Sequence, residues 1–203
     1  MYKIIKRSFD ILSSILLFAF ISPLFLILML LVRINMGKPI FFRQERTTIY
    51  KKRFDLIKFR SMNNHQDADG NLLPDHLRVS RFGIWLRSTS LDELPELLNI
   101  IKGDMSVIGP RPLPCSYDAY YSKEEENRFK VRGGLISPDT IEMEPVVSWD
   151  KQLQVESDYG TRVSFVYDLK IFLGVFKVLK KRSSTNFGAY ERVALEDERK
   201  CKK

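Results

Sequence analysis

The sequence predicts an α+β protein that is mostly helical, with a small β element and an apolar N-terminal segment suited to a membrane. An uncharged run occupies residues 11–32. Residues 53–60 alternate apolar and charged side chains with the period of a strand. Several later segments have the lengths and apolar spacing of short helices. The 203 residues therefore allow one compact domain beside the apolar segment.

Composition and charge exclude several classes of protein. Hydrophobic residues make up 44% of the chain and charged residues 29%, which excludes a disordered or collagen-like chain. The net charge of +8 favours an anionic partner, whether phosphate, nucleic acid or membrane lipid. Two cysteines, Cys115 and Cys201, do not support a disulfide scaffold. The only histidines, His65 and His76, lie in a polar stretch, so carboxylates are the expected ligands of any metal.

The apolar run of 22 residues, 11–32, would extend about 33 Å as a helix, which is enough to cross a bilayer. The Ser22-Pro23 dipeptide should kink this helix, because Pro23 offers no N–H to the carbonyl of Ala19. Ser22 can satisfy the freed backbone. Basic residues flank the run on both sides and favour the cytoplasm for both ends: Lys3, Lys6, Arg7, Arg33 and Lys38. A re-entrant helix and a kinked spanning helix both fit these features, and a buried core helix fits less well.

The following segments predict short elements joined by loops. Residues 34–62 should form extended pieces, and the strand at 53–60 should carry a basic face made by Lys58 and Arg60. The sequence then predicts a loop over 63–76, a short helix over 77–87, a helix over 91–101 that ends near Gly103, a rigid extended loop over 104–115, a charged surface helix over 117–130, loops over 132–147 and a helix over 148–159.

Residues 165–182 form a second apolar segment, which Asp168 and Lys170 interrupt and which is too short to span a membrane. An interfacial helix lying among lipid headgroups fits this segment, and so does an ordinary core helix with a basic last turn. Residues 183–203 are polar and charged, and we expect them to be a mobile tail.

Two acidic motifs are candidates for chemistry. Asp67-Ala68-Asp69 spells the D-x-D of metal-dependent glycosyltransferases, but no apolar strand precedes it, so a solvated turn is favoured. Asp92 and Glu93 lie at the start of a predicted helix, where Ser90 or Asp92 could serve as a cap. The helix dipole favours ionised carboxylates at this position. An ionised Asp92 can act as a nucleophile, and Glu93 can hold a divalent metal.

Basic residues surround this acidic pair in the sequence, namely Arg81, Arg87, Lys102 and Arg111. Arg111 lies between Pro110 and Pro112, which restrict its backbone at little cost in ordering. A rigid arginine beside two carboxylates suits a bidentate phosphate clamp.

These segments resemble the bacterial sugar transferases, which are monotopic phosphoglycosyl transferases of the small, single-catalytic-domain type acting on polyprenyl phosphate. The resemblance covers residues 1–182 and rests on KRSFD at 6–10, the Ser22-Pro23 break, KFRSM at 58–62, RSTSLDELPELLN at 87–99, KGDMS at 102–106 and GPRP at 109–112.

The resemblance implies three regions. Residues 1–36 would form a re-entrant membrane helix broken at Ser22-Pro23. Residues 37–182 would form a compact catalytic domain on the cytoplasmic face of the bacterial inner membrane, with 165–182 as an interfacial amphipathic helix. Residues 183–203 would be the tail. Membrane lipid is then an expected partner, a homodimer is compatible with the family, and nucleic acid is not expected.

The resemblance also implies a reaction. A sugar-1-phosphate would pass from a UDP-sugar to undecaprenyl phosphate with release of UMP, which initiates a capsule, O-antigen or glycoprotein glycan. Asp92 would be the nucleophile that forms an aspartyl-phosphosugar intermediate, and Asp92 and Glu93 would hold Mg²⁺. The implied phosphate-binding residues are Arg87, Arg111, Arg132, Lys58 and Arg60.

Two positions depart from the family pattern. Thr48 stands where the family usually has glycine. The usual V-R-P-G-[IL]-T-G-W stretch is VRGGLISPD here, so Gly133 replaces the proline and the Gly-Trp pair is absent. We expect residues 133–139 to shape the nucleotide-sugar pocket, so that their departure bears on the identity of the sugar.

Two other functions compete with this interpretation. A glycosyltransferase that moves the sugar without its phosphate would use Asp67 and Asp69 and release UDP. A membrane-peripheral scaffold without catalysis would bind anionic lipid through its basic termini.

Overall fold

The computed structural model describes residues 2–142, 147–182 and 193–201. The described residues are mostly helical, as predicted, and contain two small β elements where one was predicted. The helices are α1 (Tyr2–Met36), α2 (Asp75–Arg78), α3 (Arg81–Ser88), α4 (Glu96–Lys102), α5 (Trp149–Arg162), α6 (Phe165–Arg182) and α7 (Leu195–Cys201). The strands are β1 (Phe41–Thr47), β2 (Arg53–Phe59), β3 (Met105–Ile108) and β4 (Gly133–Ile136).

Helix α1 is long and apolar enough to cross a membrane by length and composition. Its helical assignment is continuous through Pro23. The Ser22 hydroxyl donates a hydrogen bond of 2.8 Å to the carbonyl of Ala19, which is the acceptor that Pro23 leaves without its usual donor. The predicted role of Ser22 is therefore confirmed.

One face of α1 packs against the rest of the protein along most of the helix. In its first half Asp10 and Ser14 are buried, and the Arg7 guanidinium donates to the carbonyls of Ile100 and Ile101 in α4 at 2.7 and 3.1 Å. In its second half, buried apolar residues pack against β2 and α3: Phe25, Leu28, Val32 and Met36. The opposite face exposes large apolar side chains, among them Phe9, Leu12, Leu16, Phe20, Leu26, Ile27 and Leu30.

The β1–β2 hairpin provides one wall of the functional cleft described below. The strands pair antiparallel, with Phe42 opposite Lys58. Phe54 and Leu56 of β2 are buried over α4 in a second apolar cluster. Since side chains alternate along a strand, Lys58 lies on the same face as Phe54 and Leu56 and points towards the start of α4. The predicted strand at 53–60 is confirmed to within one residue.

Strands β3 and β4 form a short parallel pair within regions where the sequence predicted loops. Their backbones approach so closely that a Cβ added to Gly134 would lie 2.0 Å from the amide nitrogen of Gly109. Gly109 donates to the carbonyl of Ile136 at 3.0 Å, and Gly134 donates to the carbonyl of Pro110 at 2.9 Å. β4 therefore braces the loop that follows β3 and carries Arg111.

Other segments differ from the predictions in detail. The predicted helix over 77–87 is divided between α2 and α3. The surface helix predicted over 117–130 is replaced by two 3₁₀ turns, Cys115–Ala119 and Glu125–Lys130. The helices predicted over 148–159 and 165–182 are confirmed.

The last described segment packs onto the rest of the protein. Leu195 of α7 is fully buried against Leu113, Trp149 and Leu153. The indole N–H of Trp149 donates to the carbonyl of Val193 at 2.9 Å. The rest of the predicted tail, residues 183–192 and 202–203, lies outside the described residues.

Replacing Gly134 with alanine should lower the free energy of unfolding by about 1 to 3 kcal/mol, because the added methyl group meets backbone that cannot move aside. The midpoint of thermal unfolding in detergent micelles measures this loss. Gly174→Ala in α6 is the matched control, since a Cβ added there would lie 3.7 Å from the nearest atom, which is ordinary van der Waals contact. Equal midpoints for the two variants would contradict the close packing of β3 and β4.

Candidate active site

A cleft of about 1050 Å³ lies between the β1–β2 hairpin, α3 and the turn before α4. Two carboxylates, Asp92 and Glu93, line it. Seven basic residues line the same cleft: Arg43, Arg46, Lys58, Arg60, Arg78, Arg87 and Arg111. This excess of positive charge suits a ligand that carries several negative charges, such as a diphosphate.

Asp92 lies in a 3₁₀ turn, Leu91–Glu93, that begins after a left-handed residue. Ser90 adopts φ 56°, a conformation that costs a non-glycine residue about 1 kcal/mol. The Ser90 side chain makes no capping hydrogen bond, and Pro95 occupies the N-cap of α4. The capping interpretations, in which Ser90 or Asp92 is the cap, are therefore wrong, and α4 starts only at Glu96.

Asp92 is 8% exposed, so its carboxyl reaches the cleft from a largely buried position. Burial raises its pKa, and neighbouring Glu93 raises it further. The cations of Lys58 and Arg87 act in the opposite direction and favour the ionised carboxylate. The ionisation of Asp92 therefore depends on the basic residues of the cleft.

Lys58 bridges two carboxylates at the start of α4. Its ammonium lies 2.7 Å from Glu93 Oε1 and 3.2 Å from Glu96 Oε1. Burial lowers the pKa of Lys58, but the two carboxylates outweigh burial and raise it overall. Burial raises the pKa of Glu96 to about 7, and Lys58 opposes that rise. Lys58 lies in the cleft as a partner of carboxylates, and the geometry of Glu93 depends on it.

Two more predicted phosphate-binding arginines are fixed by the segment after β2. Arg87 Nε donates to the Ser61 hydroxyl at 2.9 Å. Arg60 Nε donates to the carbonyl of Met62 at 2.9 Å, and Arg60 Nη1 donates to the carbonyl of Lys38 at 2.8 Å. These bonds hold both guanidinium groups at the wall of the cleft.

The structure thus brings together six of the seven predicted catalytic and phosphate-binding residues, and Arg132 is the exception. Arg132 Nε donates to the carbonyl of Gly103 at 2.8 Å. Arg132 lines a separate cavity of about 40 Å³ beside the start of α1. The membrane-break residues Ser22 and Pro23 also lie away from the cleft, in the middle of α1.

Three cleft residues were not singled out as site residues in the sequence, namely Arg43, Arg46 and Arg78, and neither was Glu96, which contacts Lys58. The charged patch at 43–46 was a signal for two of them, because an arginine-rich strand beside a basic one suggests a shared cationic surface. For Glu96 the signal was its spacing of three residues from Glu93.

The D-x-D motif lies in a turn outside the cleft. The Asp67 carboxylate accepts hydrogen bonds from the amides of Asp69 and Asn71, at 3.0 and 2.9 Å. Neither aspartate lines the cleft. This local turn explains the motif without a metal, so the competing glycosyltransferase site finds no support in the structure.

The two departures from the family pattern contact each other. The Thr48 hydroxyl donates to the carbonyl of Asp104 at 2.8 Å and accepts from the amide of Gly133 at 3.1 Å. A proline at 133 would have no amide hydrogen to donate. None of residues 133–139, all of which are described, lines the cleft. That they shape the nucleotide-sugar pocket stays a prediction, and in the structure β4 braces the loop that carries Arg111.

The described residues contain no group of three or more His, Cys, Asp and Glu side chains that could enclose a metal ion. Mg²⁺ commonly binds through one or two carboxylates, with water and substrate phosphates completing its coordination. Asp92 and Glu93, adjacent on the wall of a cationic cleft, fit such a partial set of ligands.

Comparison with known proteins identifies the family. A family model described as "Bacterial sugar transferase" matches residues 1–182. The chain belongs to this family. It is 41% identical over 177 residues to a protein named "Uncharacterized sugar transferase EpsL" from Bacillus subtilis, with 87% of this chain and 88% of that protein covered.

Two further members of the family carry named activities. A "UDP-glucose:undecaprenyl-phosphate glucose-1-phosphate transferase" from Caulobacter vibrioides is 35% identical, with 83% of this chain and 67% of that protein covered. A "UDP-N-acetylgalactosamine-undecaprenyl-phosphate N-acetylgalactosaminephosphotransferase" from Aeromonas hydrophila is 31% identical, with 93% of this chain and 45% of that protein covered. Similarity to this chain therefore extends to transferases named for different sugars.

Glu96→Gln should change how stability depends on pH. The folded protein holds the Glu96 proton up to about pH 7, whereas the unfolded chain releases it near pH 4.5. The stabilisation from this proton is complete below pH 4.5 and is lost as the pH rises through 7. Glutamine cannot lose a proton, so the variant should gain up to about 3 kcal/mol relative to the wild type over this range.

Urea unfolding of the two proteins at several pH values measures the difference. Glu45→Gln on β1, where the side chain is exposed, is the control for the removal of one carboxylate. A difference between Glu96→Gln and the wild type that stays constant from pH 4.5 to 7 would contradict the raised pKa.

Proposed function

We propose that this protein is a phosphoglycosyl transferase that moves a sugar-1-phosphate from a UDP-sugar to undecaprenyl phosphate and releases UMP. The observation that carries the proposal is the cleft in which Asp92 and Glu93 meet seven basic side chains. Membership of the bacterial sugar transferase family and the named activities of its relatives support the same reaction. The product would begin the assembly of a capsule, O-antigen or glycoprotein glycan.

Transfer proceeds in two displacements at one phosphorus atom. The Asp92 carboxylate attacks the phosphorus that carries the sugar, and the bond from that phosphorus to the bridging oxygen breaks. The electron pair leaves with UMP, and Asp92 holds the sugar phosphate as an acyl phosphate. A phosphate oxygen of undecaprenyl phosphate then attacks the same phosphorus and frees the carboxylate. All nucleophiles are anions, so neither step needs a general base.

The other residues of the cleft bind phosphate oxygens or hold the carboxylates in place. Arg87 and Arg111 bind phosphate oxygens and offset the charge that accumulates when a carboxylate approaches a diphosphate. Lys58 holds Glu93 at 2.7 Å and favours the ionised form of Asp92. Glu93, together with Asp92, would hold Mg²⁺. When bound, this ion neutralises diphosphate charge and stabilises the leaving UMP.

Both ends of α1 belong on the same side of the membrane in this proposal. Arg7 near the start of α1 bonds to α4, and Val32 and Met36 near its end pack into the apolar cluster that contains Leu86 of α3. A helix spanning the bilayer would carry one of these ends about 30 Å away from the domain. The contacts therefore support a re-entrant helix, and its basic flanks favour the cytoplasmic face of the inner membrane.

Helix α6 would rest on the same membrane as an interfacial helix. It buries Asp168 and Ile171 towards the domain. Its outer face exposes a continuous set of large apolar residues, namely Phe165, Val166, Leu169, Phe172, Leu173 and Phe176. An exposed apolar face of this kind is typical of a helix that lies in the headgroup region.

Purified protein in detergent, incubated with undecaprenyl phosphate, Mg²⁺ and a panel of UDP-sugars, should release UMP with one of the donors. Asp92→Asn should reduce this release by at least about 10³-fold, because an amide is not a nucleophile for phosphorus. Asp69→Asn, the same exchange outside the cleft, is the matched control and should keep full activity. Release of UDP, or an Asp92→Asn variant with wild-type rates, would overturn the proposal.

Single cysteines should locate the two ends of α1. In a variant without native cysteines, a cysteine at Lys3 or at Lys38 should react with a membrane-impermeant maleimide in inverted vesicles and not in intact spheroplasts. A third variant, Lys123→Cys, places the cysteine at an exposed position of the catalytic domain and reports the side of the membrane on which that domain lies. Labelling of the Lys3 and Lys38 positions from opposite sides would contradict the re-entrant topology.

A further inference from the structure

The loop Gly109-Pro110-Arg111-Pro112 has a hydrogen bond for each of its backbone amides. Gly109 donates to β4, as described above. Pro110 and Pro112 have no amide hydrogen, so Arg111 carries the only one in residues 110–112. That amide donates to Glu156 Oε1 at 3.0 Å. The carbonyl of Arg111 accepts from Arg128 Nη2 at 2.6 Å. The amide of Arg111 is therefore hydrogen-bonded to Glu156, and its carbonyl is hydrogen-bonded to Arg128.

Those two side chains form an ion pair inside the protein. Arg128 is 2% exposed and Glu156 is fully buried. Arg128 Nε and Nη2 lie 2.9 and 2.7 Å from Glu156 Oε2. Arg128 Nη1 donates to the Tyr121 hydroxyl, and Ser137 and Gln152 donate to Glu156 Oε1. The ion pair is therefore part of a buried hydrogen-bond network that contacts the backbone of Arg111 on both sides of its Cα.

Stability alone does not account for this arrangement. Two charges taken out of water lose several kcal/mol of hydration each, and well-packed apolar residues of similar volume are often at least as stable. A buried carboxylate and guanidinium do, however, fix hydrogen-bond directions more strictly than apolar contacts do. The two peptide groups that flank the Arg111 Cα are held by these directions, so the side chain leaves the backbone at a defined point on the cleft wall.

We propose that Arg128 and Glu156 are positioning residues that hold the Arg111 guanidinium in place for the phosphates of the donor. Neither side chain touches the substrate. Each acts through one hydrogen bond to the Arg111 backbone, and the flanking prolines limit the remaining freedom of the loop. The proposal deepens the proposed function and rests on it, since Arg111 is assigned there to phosphate binding.

Glu156→Gln tests the proposal with almost no change of shape. A glutamine can present its oxygen to Arg128 or to the Arg111 amide, but its NH₂ group then faces the other donor. Arg128→Lys is the second variant, because a lysine can keep the charge pair but not the fork that also reaches the Arg111 carbonyl. If one variant does not fold, the other reports.

The first readout is hydrogen exchange of the Arg111 amide, followed by mass spectrometry. Because Pro110 and Pro112 carry no amide, exchange within 110–112 belongs to Arg111 alone. We expect exchange at least about tenfold faster in the variants than in the wild type. Ser157→Ala is the matched control, since it removes a hydrogen bond of the α5 residue next to Glu156, from the Ser157 hydroxyl to the carbonyl of Glu124, and this bond involves no residue of the loop. It should leave this amide protected.

The second readout is a double-mutant cycle on kcat/KM for the UDP-sugar. Glu156→Gln should lower kcat/KM about tenfold or more, because small displacements of a phosphate-binding group are costly. In a protein that already carries Arg111→Ala, Glu156→Gln should cause almost no further loss of kcat/KM. Losses that add in the double variant, or an Arg111 amide that stays protected in both single variants, would overturn the proposal. If the wild type releases no UMP, the proposed function fails, and the exchange measurement still decides whether the pair holds Arg111.

Discussion

Two carboxylates share this cleft with seven basic residues, and the proposed reaction requires these cations because it brings a diphosphate up to a carboxylate. Burial raises the pKa of the Asp92 carboxyl, and neighbouring cations act against that rise. Lys58 does so from β2, and it also fixes Glu93 and Glu96. The hairpin and the start of α4 are thus joined by charge at the point where the apolar cluster of Phe54, Leu56 and Leu97 ends.

Aromatic side chains join helix α1 directly to the wall of the cleft. Phe25 of α1 packs against Phe41 and Phe59 of the hairpin, with ring centroids 6.3 and 4.9 Å apart. Phe41 and Phe59 also line the cleft. One layer of aromatic side chains therefore separates α1 from the cleft. In the proposed reaction this proximity matters, because the acceptor's phosphate lies at headgroup depth and its chain lies in the lipid.

The sequence predicted the parts of the site that lie in continuous motifs. Asp92, Glu93 and Arg111 were found because an acidic pair at a helix start and an arginine between prolines are visible without any knowledge of tertiary contacts. The ion pairs of Lys58 were not predicted, because they join residues 35 or more positions apart in the sequence. Strands β3 and β4 were missed because each has four residues, and glycine and proline around them favour a loop prediction.

The direction of the Arg132 side chain and the packing of α7 also depend on tertiary contacts that the sequence pattern does not show. Arg132 follows a family motif in sequence, but its direction is set by the turn after α4, where Gly103 accepts its hydrogen bond. The polar residues after 183 predicted a mobile tail, whereas α7 packs through Leu195 against Leu113 and Trp149 and pairs through Arg199 with Glu125 and Asp150. Single buried residues within polar segments leave almost no periodic signal.

The covalent aspartyl intermediate is the central claim, and mass spectrometry of the intact protein tests it most directly. The protein is incubated with its UDP-sugar and Mg²⁺ in the absence of undecaprenyl phosphate and is then quenched in acid. We expect a mass increase equal to one sugar phosphate, located on the peptide that contains Asp92 and lost when undecaprenyl phosphate is added. Release of UMP that requires the acceptor, with no adduct under any of these conditions, would contradict the account and indicate direct transfer between the two substrates.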